Sequence, residues 1–519
     1  MIKLFTGTPR HKNILKFALV FLLCCPLLLI NIRDDIDWGD DNAHYLLQAK
    51  YIVNDIPQSQ TQYVYNINCQ QLGPPAYPMG FPLLLSVVYY FEGMNFLSFS
   101  LYLTAFLIIL ALLMLWLYKD NHRFLTSVFL ILIVVYNPWT IAFKSEIMSE
   151  IPFMVVLILT ILIYKKSENI FSLIIVGLLT GYLISIRTIG AALPLAFLID
   201  VTSNGIGSFR KKESTARKII LKQFIKIVII FFFSFGLYFL LNNLIFDIPD
   251  DSAKGYYRLF SFDGLGAIIL QNLAVYTEVL KAFFSPQNGK WLFLPLITQS
   301  LVFTFILLGF FSKIIKKPDF TDFFVILYML VLLVYPYTQS GFRFLFPILP
   351  FLLSYAVLGL KTIRIDIEIR TSVKIILLGF LLLIQYIYGF NEIKKQQFIS
   401  VEGPCNAESK EAFDFIIKQT PEDAVFAFNK PRALALFTGR KCISNNLVQP
   451  EKDNIEGTFF KAGVWYYLLY TRKKNEPDNP LLDEMVNKPL ENYIENNRDM
   501  VSLIWANKRF KLYKRTKFR

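Results

Sequence analysis

The feature that most constrains this chain is a succession of long apolar runs separated by short charged loops. Of the 519 residues, 55% are hydrophobic, and 50 are phenylalanine and 27 tyrosine. An α-helix needs about 20 consecutive apolar residues to cross a bilayer, and runs of about that length recur as far as residue 390. A soluble core could not hold so many large apolar side chains in this arrangement. The sequence therefore predicts an α-helical polytopic membrane protein.

The positive charge of the chain lies mostly in the loops. The formal net charge is +14, which would suit nucleic-acid binding if the basic residues formed one patch. They instead form small clusters between the apolar runs, where lysine and arginine mark the cytoplasmic loops of membrane proteins. We therefore expect no nucleic-acid partner.

Residues 77–92 decide the predicted topology, because they are apolar but short. If this stretch crosses the membrane, the later basic clusters move to the outer side, against the positive-inside bias. If it lies on the outer surface, those clusters fall in the cytoplasm. The second arrangement predicts about eleven transmembrane helices, a cytoplasmic N-terminus and an extracytoplasmic C-terminal domain. The predicted spans are approximately 14–32, 95–118, 124–143, 147–164, 170–186, 188–201, 224–246, 291–311, 320–337, 342–360 and 373–390.

The first predicted outer loop, residues 33–94, carries a cluster of aspartates. Five of them fall between residues 34 and 41, and an amphipathic helical pattern follows from Tyr45 to Val53. If that helix begins near Asp41, the carboxylate lies one turn before Tyr45 and is a candidate for removing a proton at the membrane surface. The alternative is a solvated acidic loop with a helix cap, a position that aspartate favours.

Further charged residues are predicted at the outer ends of the spans. They are Lys144, Glu150, Arg187 and Arg343. Ionisable groups at such a depth are costly and are functional candidates by default. For the two arginines, the alternative is that their long side chains simply reach the lipid headgroups.

The chain becomes polar after residue 390, and helical and strand-like patterns alternate there. This alternation predicts a small α/β domain over residues 391–519. The predicted helices are Lys410–Lys418 and Arg432–Phe437, and the predicted strands are Ala424–Phe428, Tyr466–Tyr470 and Phe510–Tyr513. We expect a transmembrane domain over residues 1–390, which includes the first outer loop, followed by this extracytoplasmic domain.

Two cysteines, Cys405 and Cys442, lie in the predicted C-terminal domain. Outside the cytoplasm such a pair can form a disulfide, and the sequence does not decide whether it does. None of the cysteines has the paired spacing of a metal site.

Several common reaction classes lack their sequence motifs. The chain has no phosphate-binding GxxxxGK[ST] loop, no Rossmann fingerprint, no HExxH zinc motif and no GxSxG elbow. What remains is an outer carboxylate cluster, a few outer cations and a large apolar body. That combination suits the transfer of a sugar from a polyprenyl-phosphate donor, with a carboxylate as base and an arginine at the departing phosphate. A single displacement of this kind inverts the anomeric carbon.

Four short motifs give the chain a resemblance to the GT-C class of membrane glycosyltransferases. The resemblance is closest to the branch that includes protein O-mannosyltransferases and the lipid A aminoarabinose transferase. It covers about residues 14–360, and its specificity comes from the order of the motifs. The four motifs are Asp41–Tyr45 after the first span, Pro74–Pro78 before the surface segment, Ser149–Pro152 at the start of a span, and Arg343–Pro350.

The resemblance implies a role for each candidate residue. Asp41 would be the catalytic base, although the usual second acidic position is Asn42 here, so Asp40 stays open as the partner or the base. Arg187 and Arg343 would contact the lipid phosphate or the sugar. Glu150 would line the same cavity, and we predict Tyr45 and Lys144 as further substrate-binding residues.

The resemblance leaves the cofactor, the sugar and the acceptor open. Some members use a divalent cation near the first loop and others use none. The acceptor would be an envelope glycan, a lipid or a protein hydroxyl, and the location would be the bacterial inner membrane. Two alternatives are a transporter or flippase for a polyprenyl-linked lipid, and an O-antigen ligase or polymerase. The first would need charges within the bundle, and the second a large late outer loop with paired arginines.

Overall fold

A computed structural model of the chain describes most of the sequence. It covers residues 9–66, 74–210, 216–249, 264–284, 293–335, 342–362, 402–445, 455–471 and 488–516, with isolated positions between 373 and 390. The chain divides into two compact units. The first unit is formed by residues 1–32, 97–244 and 260–398, and the second by residues 33–96, 245–259 and 399–519. The first outer loop thus belongs to the same unit as the C-terminal tail, whereas the sequence analysis grouped it with the transmembrane domain.

Helices dominate the described residues. In chain order they are α1 Pro9–Cys24, α2 Asp40–Val53, α3 Gly80–Glu92, α4 Phe96–Tyr118, α5 Phe124–Val135, α6 Pro138–Phe143, α7 Glu150–Tyr164, α8 Ile170–Ile186, α9 Ala192–Arg210, α10 Ala216–Phe239, α11 Leu265–Phe284, α12 Phe293–Lys316, α13 Phe320–Val334, α14 Phe342–Leu345, α15 Leu349–Thr362, α16 Ala407–Gln419, α17 Pro431–Thr438, α18 Ile455–Lys461 and α19 Lys488–Asn496. The strands are β1 Tyr63–Val64, β2 Val425–Phe428, β3 Lys441–Ser444, β4 Tyr466–Tyr470, β5 Val501–Ala506 and β6 Phe510–Arg515.

The first unit contains the apolar helices that the sequence predicts as spans. Each predicted span up to residue 360 coincides with helical structure, while most of the predicted span 373–390 lies outside the described residues. Four helical stretches among the described residues are long and apolar enough to cross a membrane, and eight shorter apolar helices accompany them. The four are Phe96–Tyr118, Leu221–Ile245, Ile297–Lys316 and Phe342–Thr362. The number of spans and their orientation stay predictions.

Helix α11 departs from the sequence analysis, which predicts no span between residues 246 and 291. The structure instead forms a 20-residue helix, Leu265–Phe284, within that range. Its apolar stretch is shorter than a full span, and Glu278 and Lys281 interrupt its second half. A search for runs of membrane-spanning length therefore passes over it.

Polar caps break one predicted span into two helices. Asn137 follows α5, and its side chain accepts a hydrogen bond from the backbone N–H of Trp139 at 2.9 Å. Pro138 occupies the first turn of α6, where its missing N–H costs nothing. The chain then turns through Lys144 into α7, which begins at Glu150.

Two glycines allow α12 and α15 to pack backbone to backbone. A Cβ atom on Gly309 would lie 1.8 Å from the carbonyl oxygen of Tyr355, and one on Gly359 would lie 2.0 Å from that of Phe305. Helices in membranes associate through such small residues because lipid supplies no hydrophobic driving force between them.

The second unit is built on a six-stranded sheet. Among the described residues its strand order is β1-β3-β2-β4-β6-β5, in which β1, β3, β2 and β4 are parallel to one another and β6 is antiparallel to both β4 and β5. All five elements that the sequence analysis predicts in the tail are present, as α16, α17, β2, β4 and β6. Cys405 and Cys442 are both free thiols.

The first outer loop is part of this sheet and its core. Tyr63 and Val64 pair in parallel with Cys442 and Ile443, so β1 is an edge strand of the tail sheet. Trp38 packs its ring against four aromatic rings of the tail at centroid distances of 5.9–6.3 Å. Those rings belong to Phe413, Phe428, Tyr470 and Phe510.

Candidate functional site

The second unit contains a cluster formed by Asp40, Asp41, Tyr77 and Arg432, which we call the carboxylate cluster. Helix α2 begins at Asp40, close to the start predicted at Asp41. Both aspartates therefore lie in the first turn, where backbone N–H groups and the helix dipole favour negative charge. Their side chains differ in burial: Asp40 is 8% exposed and Asp41 is 27% exposed.

Asp41 is held by two donors. The hydroxyl of Tyr77 donates to Asp41 Oδ1 at 2.6 Å. Arg432 Nη1 lies 3.4 Å from the same oxygen and 3.3 Å from the Tyr77 hydroxyl. Both donors therefore hold the same carboxylate oxygen, while about a quarter of the side-chain surface stays accessible.

Arg432 enters the cluster from α17 of the C-terminal tail and is fully buried. Its Nε lies 3.6 Å from Asp40 Oδ2, and its Nη2 donates to the carbonyl oxygen of Pro74 at 3.0 Å. The guanidinium also lies 4.7 Å from the ring centroid of Tyr63 and 5.2 Å from that of Tyr77. Two carboxylates and two aromatic faces thus surround a cation that has no access to water.

Asp40 is less suited than Asp41 to reach a substrate. Burial raises the pKa of its carboxyl above the ordinary value, although Arg432 and Lys430 act in the opposite direction. Its Oδ1 accepts a hydrogen bond from the backbone N–H of Arg432 at 3.3 Å. His44, one turn further along α2, is also buried, and burial together with Arg432 lowers its pKa well below the usual range.

Tyr45 lies against aromatic rings rather than in an open cavity. It is 5% exposed, and its ring centroid is 4.8 Å from that of Tyr77 and 4.8 Å from that of Phe81 on α3. The residue predicted to bind substrate therefore packs α2 against α3.

The first unit contains a second cluster, formed by Glu150, Arg187 and Arg343, which we call the arginine cluster. Glu150 is the first residue of α7 and is completely buried. Arg187, just after α8, forms an ion pair with its Oε1, and Arg343 Nε on α14 donates to the same oxygen at 2.9 Å. The two arginine side chains keep 14% and 20% of their surface exposed.

This arrangement brings together three residues that the sequence predicts separately. A carboxylate without access to water stabilises two guanidinium groups that have some access. Arg187 also lies 5.6 Å from the ring centroid of Phe344 and 3.3 Å from Ser149 Oγ, so its position is fixed by several contacts.

Lys144, which the sequence predicts at the outer end of a span, lies in the first unit and is completely buried. Its Nζ donates to Thr104 Oγ1 at 3.1 Å and to the carbonyl oxygen of Asn31 at 3.4 Å. These acceptors tie the turn before α7 to α4 and to the end of the first span.

Metal binding has no preformed ligand set in the part of the chain that the structure describes. No group of three or more histidine, cysteine, aspartate or glutamate side chains there could hold an ion together. In the carboxylate cluster, the guanidinium of Arg432 lies beside both aspartates.

Sequence reasoning missed Arg432 and the hydroxyl of Tyr77. Tyr77 lies within the proline motif, and Arg432 lies within a predicted helix, so both segments were identified without their roles. The signal for Arg432 was a single arginine in the otherwise apolar sequence Pro431–Phe437. A charged residue at the start of an apolar helix suggests a buried partner, but it does not say which one.

Comparison with known proteins agrees with the architecture. No family model matches the chain, and no curated protein matches it. Among solved structures, it is similar to ArnT from Cupriavidus metallidurans bound to undecaprenyl phosphate, with a TM-score of 0.53 and 10% identity over 98% of each chain. It is also similar to the oligosaccharyltransferase AglB from Archaeoglobus fulgidus in complex with an inhibitory peptide and a dolichol-phosphate, with a TM-score of 0.51 and 12% identity over 89% of this chain and 69% of that one.

The chain has a GT-C fold. This confirms, at the level of the fold, the resemblance that the four motifs predicted. At identities of 10–12% the likeness carries no residue-level assignment. The roles of the two clusters therefore rest on their own chemistry.

Proposed function

We propose that this protein is an inverting glycosyltransferase that moves a sugar from a polyprenyl-phosphate donor to a hydroxyl of an envelope acceptor. The observation that carries the proposal is the partly exposed carboxylate of Asp41, fixed by Tyr77 and Arg432 at the start of α2. The GT-C fold supports it, because the similar proteins include ArnT bound to undecaprenyl phosphate and AglB in complex with a dolichol-phosphate.

The proposed reaction is a single displacement. Asp41 accepts the proton of the acceptor hydroxyl, and the acceptor oxygen forms a bond to the anomeric carbon. The bond from that carbon to the phosphate oxygen breaks, and polyprenyl phosphate leaves with the bonding electrons. The configuration at the anomeric carbon inverts because attack and departure occur on opposite faces.

We assign the base role to Asp41 rather than Asp40. A general base must come within hydrogen-bonding distance of the proton that it removes, and Asp41 is the more accessible of the two. Asp40 is only 8% exposed and already accepts the backbone N–H of Arg432, so it has little access to an acceptor hydroxyl. Asp40 instead acts as a counter-charge that keeps Arg432 in place.

The arginine cluster is proposed to bind the donor phosphate. Guanidinium groups bind phosphate oxygens with paired hydrogen bonds, and the phosphate gains negative charge as the sugar departs. Glu150 is buried, so we propose that it orients the two arginines and does not itself touch the sugar. Tyr45 and Lys144 are likewise proposed to support the structure.

The location proposed for this chemistry is the outer face of the bacterial inner membrane. The charge distribution of the loops predicts that the first outer loop and the C-terminal domain lie outside the cytoplasm. Nucleotide sugars and ATP are absent there, so a lipid-linked donor is the chemically reasonable source of an activated sugar.

The deciding experiment is transfer of a radiolabelled sugar from polyprenyl-phosphate donors by purified protein, with envelope extract as the acceptor mixture. We expect transfer by the wild type and a loss of at least about 100-fold in Asp41→Asn, which keeps the shape of the side chain but cannot accept the proton. Asp40→Asn is the comparison variant: it leaves the carboxylate of Asp41 in place, so its loss of activity should be smaller than that of Asp41→Asn. Wild-type turnover in Asp41→Asn would refute the assignment.

The same preparation separates the enzyme from a transporter. Both variants can be reconstituted in vesicles and tested for movement of a fluorescent polyprenyl phosphate between leaflets. A transporter would move the lipid without forming a glycosylated product, and neither asparagine variant would change that rate.

A further inference from the structure

We propose that Arg432, contributed by the C-terminal tail, is a positioning residue for the base Asp41, so that the tail completes the catalytic apparatus. This inference rests on the proposed function and deepens it. It gives the C-terminal tail, in which the sequence shows no activity of its own, a direct part in the reaction.

The geometry of Arg432 supports a positioning role. Its Nη1 lies close to both Asp41 Oδ1 and the hydroxyl of Tyr77, the two atoms that a 2.6 Å hydrogen bond joins. Its Nη2 is anchored on the carbonyl oxygen of Pro74 at 3.0 Å. One planar group therefore fixes α2, the proline segment and the carboxylate relative to one another.

The electrostatics support the same role. An arginine buried among apolar residues is costly unless it has charged partners, and this one has Asp40 at 3.6 Å and Asp41 at 3.4 Å. A guanidinium this near a carboxylate favours its ionised form, which is the form that accepts a proton. The titratable groups that face the cluster from outside it are His44, Tyr63, Lys430 and Cys442.

Another buried arginine of the same tail provides a matched control. Arg440 is also buried, and it donates to the carbonyl oxygens of Ile417 at 3.0 Å and Thr420 at 3.1 Å. The oxygens that accept from its guanidinium are all neutral, and among the described residues it has no contact with the carboxylate cluster. Arg440→Gln therefore removes a buried guanidinium from the tail without touching the proposed base.

The experiment measures sugar transfer against pH for wild type, Arg432→Gln, Arg432→Lys, Arg440→Gln and Asp41→Asn, each as purified full-length protein. We expect Arg432→Gln to lower kcat about 100-fold, since a small displacement of a catalytic group costs that much. We also expect the acid limb of its pH profile to move up by about 1–3 pH units. Arg432→Lys keeps the charge, so its acid limb should stay in place while kcat falls about 10-fold because the planar fork is lost.

Arg440→Gln is expected to keep the wild-type kcat and pH profile per folded molecule, whatever its stability. A lower kcat of Arg432→Gln with an unmoved acid limb would indicate a merely structural role and overturn the proposal. If Arg432→Gln does not fold, Arg432→Lys decides: a wild-type kcat overturns the proposal, and a reduced kcat supports it. Turnover by Asp41→Asn would refute the base assignment on its own, and absence of transfer by the wild type would refute the proposed function and this inference with it.

Discussion

The arginine cluster offers a test of how a buried carboxylate is stabilised. Glu150 has no exposed surface and contacts both Arg187 and Arg343. Removing one arginine leaves the other in contact with the carboxylate, so each single change to glutamine should cost only a charge-assisted hydrogen bond, about 2 kcal/mol. Removing the second arginine leaves a buried charge without a cation, which costs about 3–5 kcal/mol.

The expected result is therefore strong non-additivity. The double variant Arg187→Gln with Arg343→Gln should lose about 2 kcal/mol more than the sum of the single variants. The free energy of unfolding can be measured by SDS titration of the protein in mixed micelles, followed by circular dichroism. Adding Glu150→Gln to the double variant should recover part of the loss, because the unpaired charge is gone.

Additivity of the two arginine substitutions within about 0.5 kcal/mol would refute this reasoning. It would mean that the carboxylate is solvated or protonated when the arginines are absent. The matched control is the same pair of arginine substitutions in the Glu150→Gln background, where the coupling should vanish.

Two further predictions concern other parts of the chain. Burial raises the pKa of Asp40, so the folded protein holds this proton to a higher pH than the unfolded chain does. The stability contributed by Asp40 therefore falls as pH rises above the unfolded pKa of about 4. Asp40→Asn should make the melting temperature depend less on pH between pH 4.5 and 7.5, and an unchanged dependence would contradict the raised pKa of Asp40. Gly309→Ala should lower the free energy of unfolding by about 1–3 kcal/mol, because its Cβ would collide with the backbone of Tyr355. Gly236→Ala, which meets nothing within 4 Å, should raise it by up to about 1 kcal/mol in the same SDS titration. Equal effects of the two substitutions would argue against the close packing of α12 and α15.

Local patterns were enough to predict most of the elements. The apolar runs predicted the helices of the first unit up to residue 360 except α11, and alternating patterns predicted α16, α17, β2, β4 and β6 of the tail. The start of α2 was predicted within one residue because two aspartates precede an amphipathic stripe. Helix α11 was missed because its apolar stretch is too short to resemble a span.

Long-range pairing was beyond the reach of these patterns. Strand β1 has only two residues, too few to show an alternation, and its partner β3 lies far along the chain. The contact between Arg432 and Asp41 could not be predicted for the same reason, because it depends on how the tail sheet forms, which is a property of tertiary structure. The arginine cluster was predicted as three candidates but not as a single network.

The pairing of β1 with β3 also sets an order in time. Tyr63 is made about 380 residues before its partner Cys442, which at common rates of synthesis is a delay on the order of 20 to 80 s. During that interval the aspartate segment lacks the strand and the arginine that hold it. A nascent or truncated chain that lacks residues 431–444 would thus lack both the partner strand of β1 and the arginine beside Asp40 and Asp41, and the carboxylate cluster would form only after those residues have been made and folded.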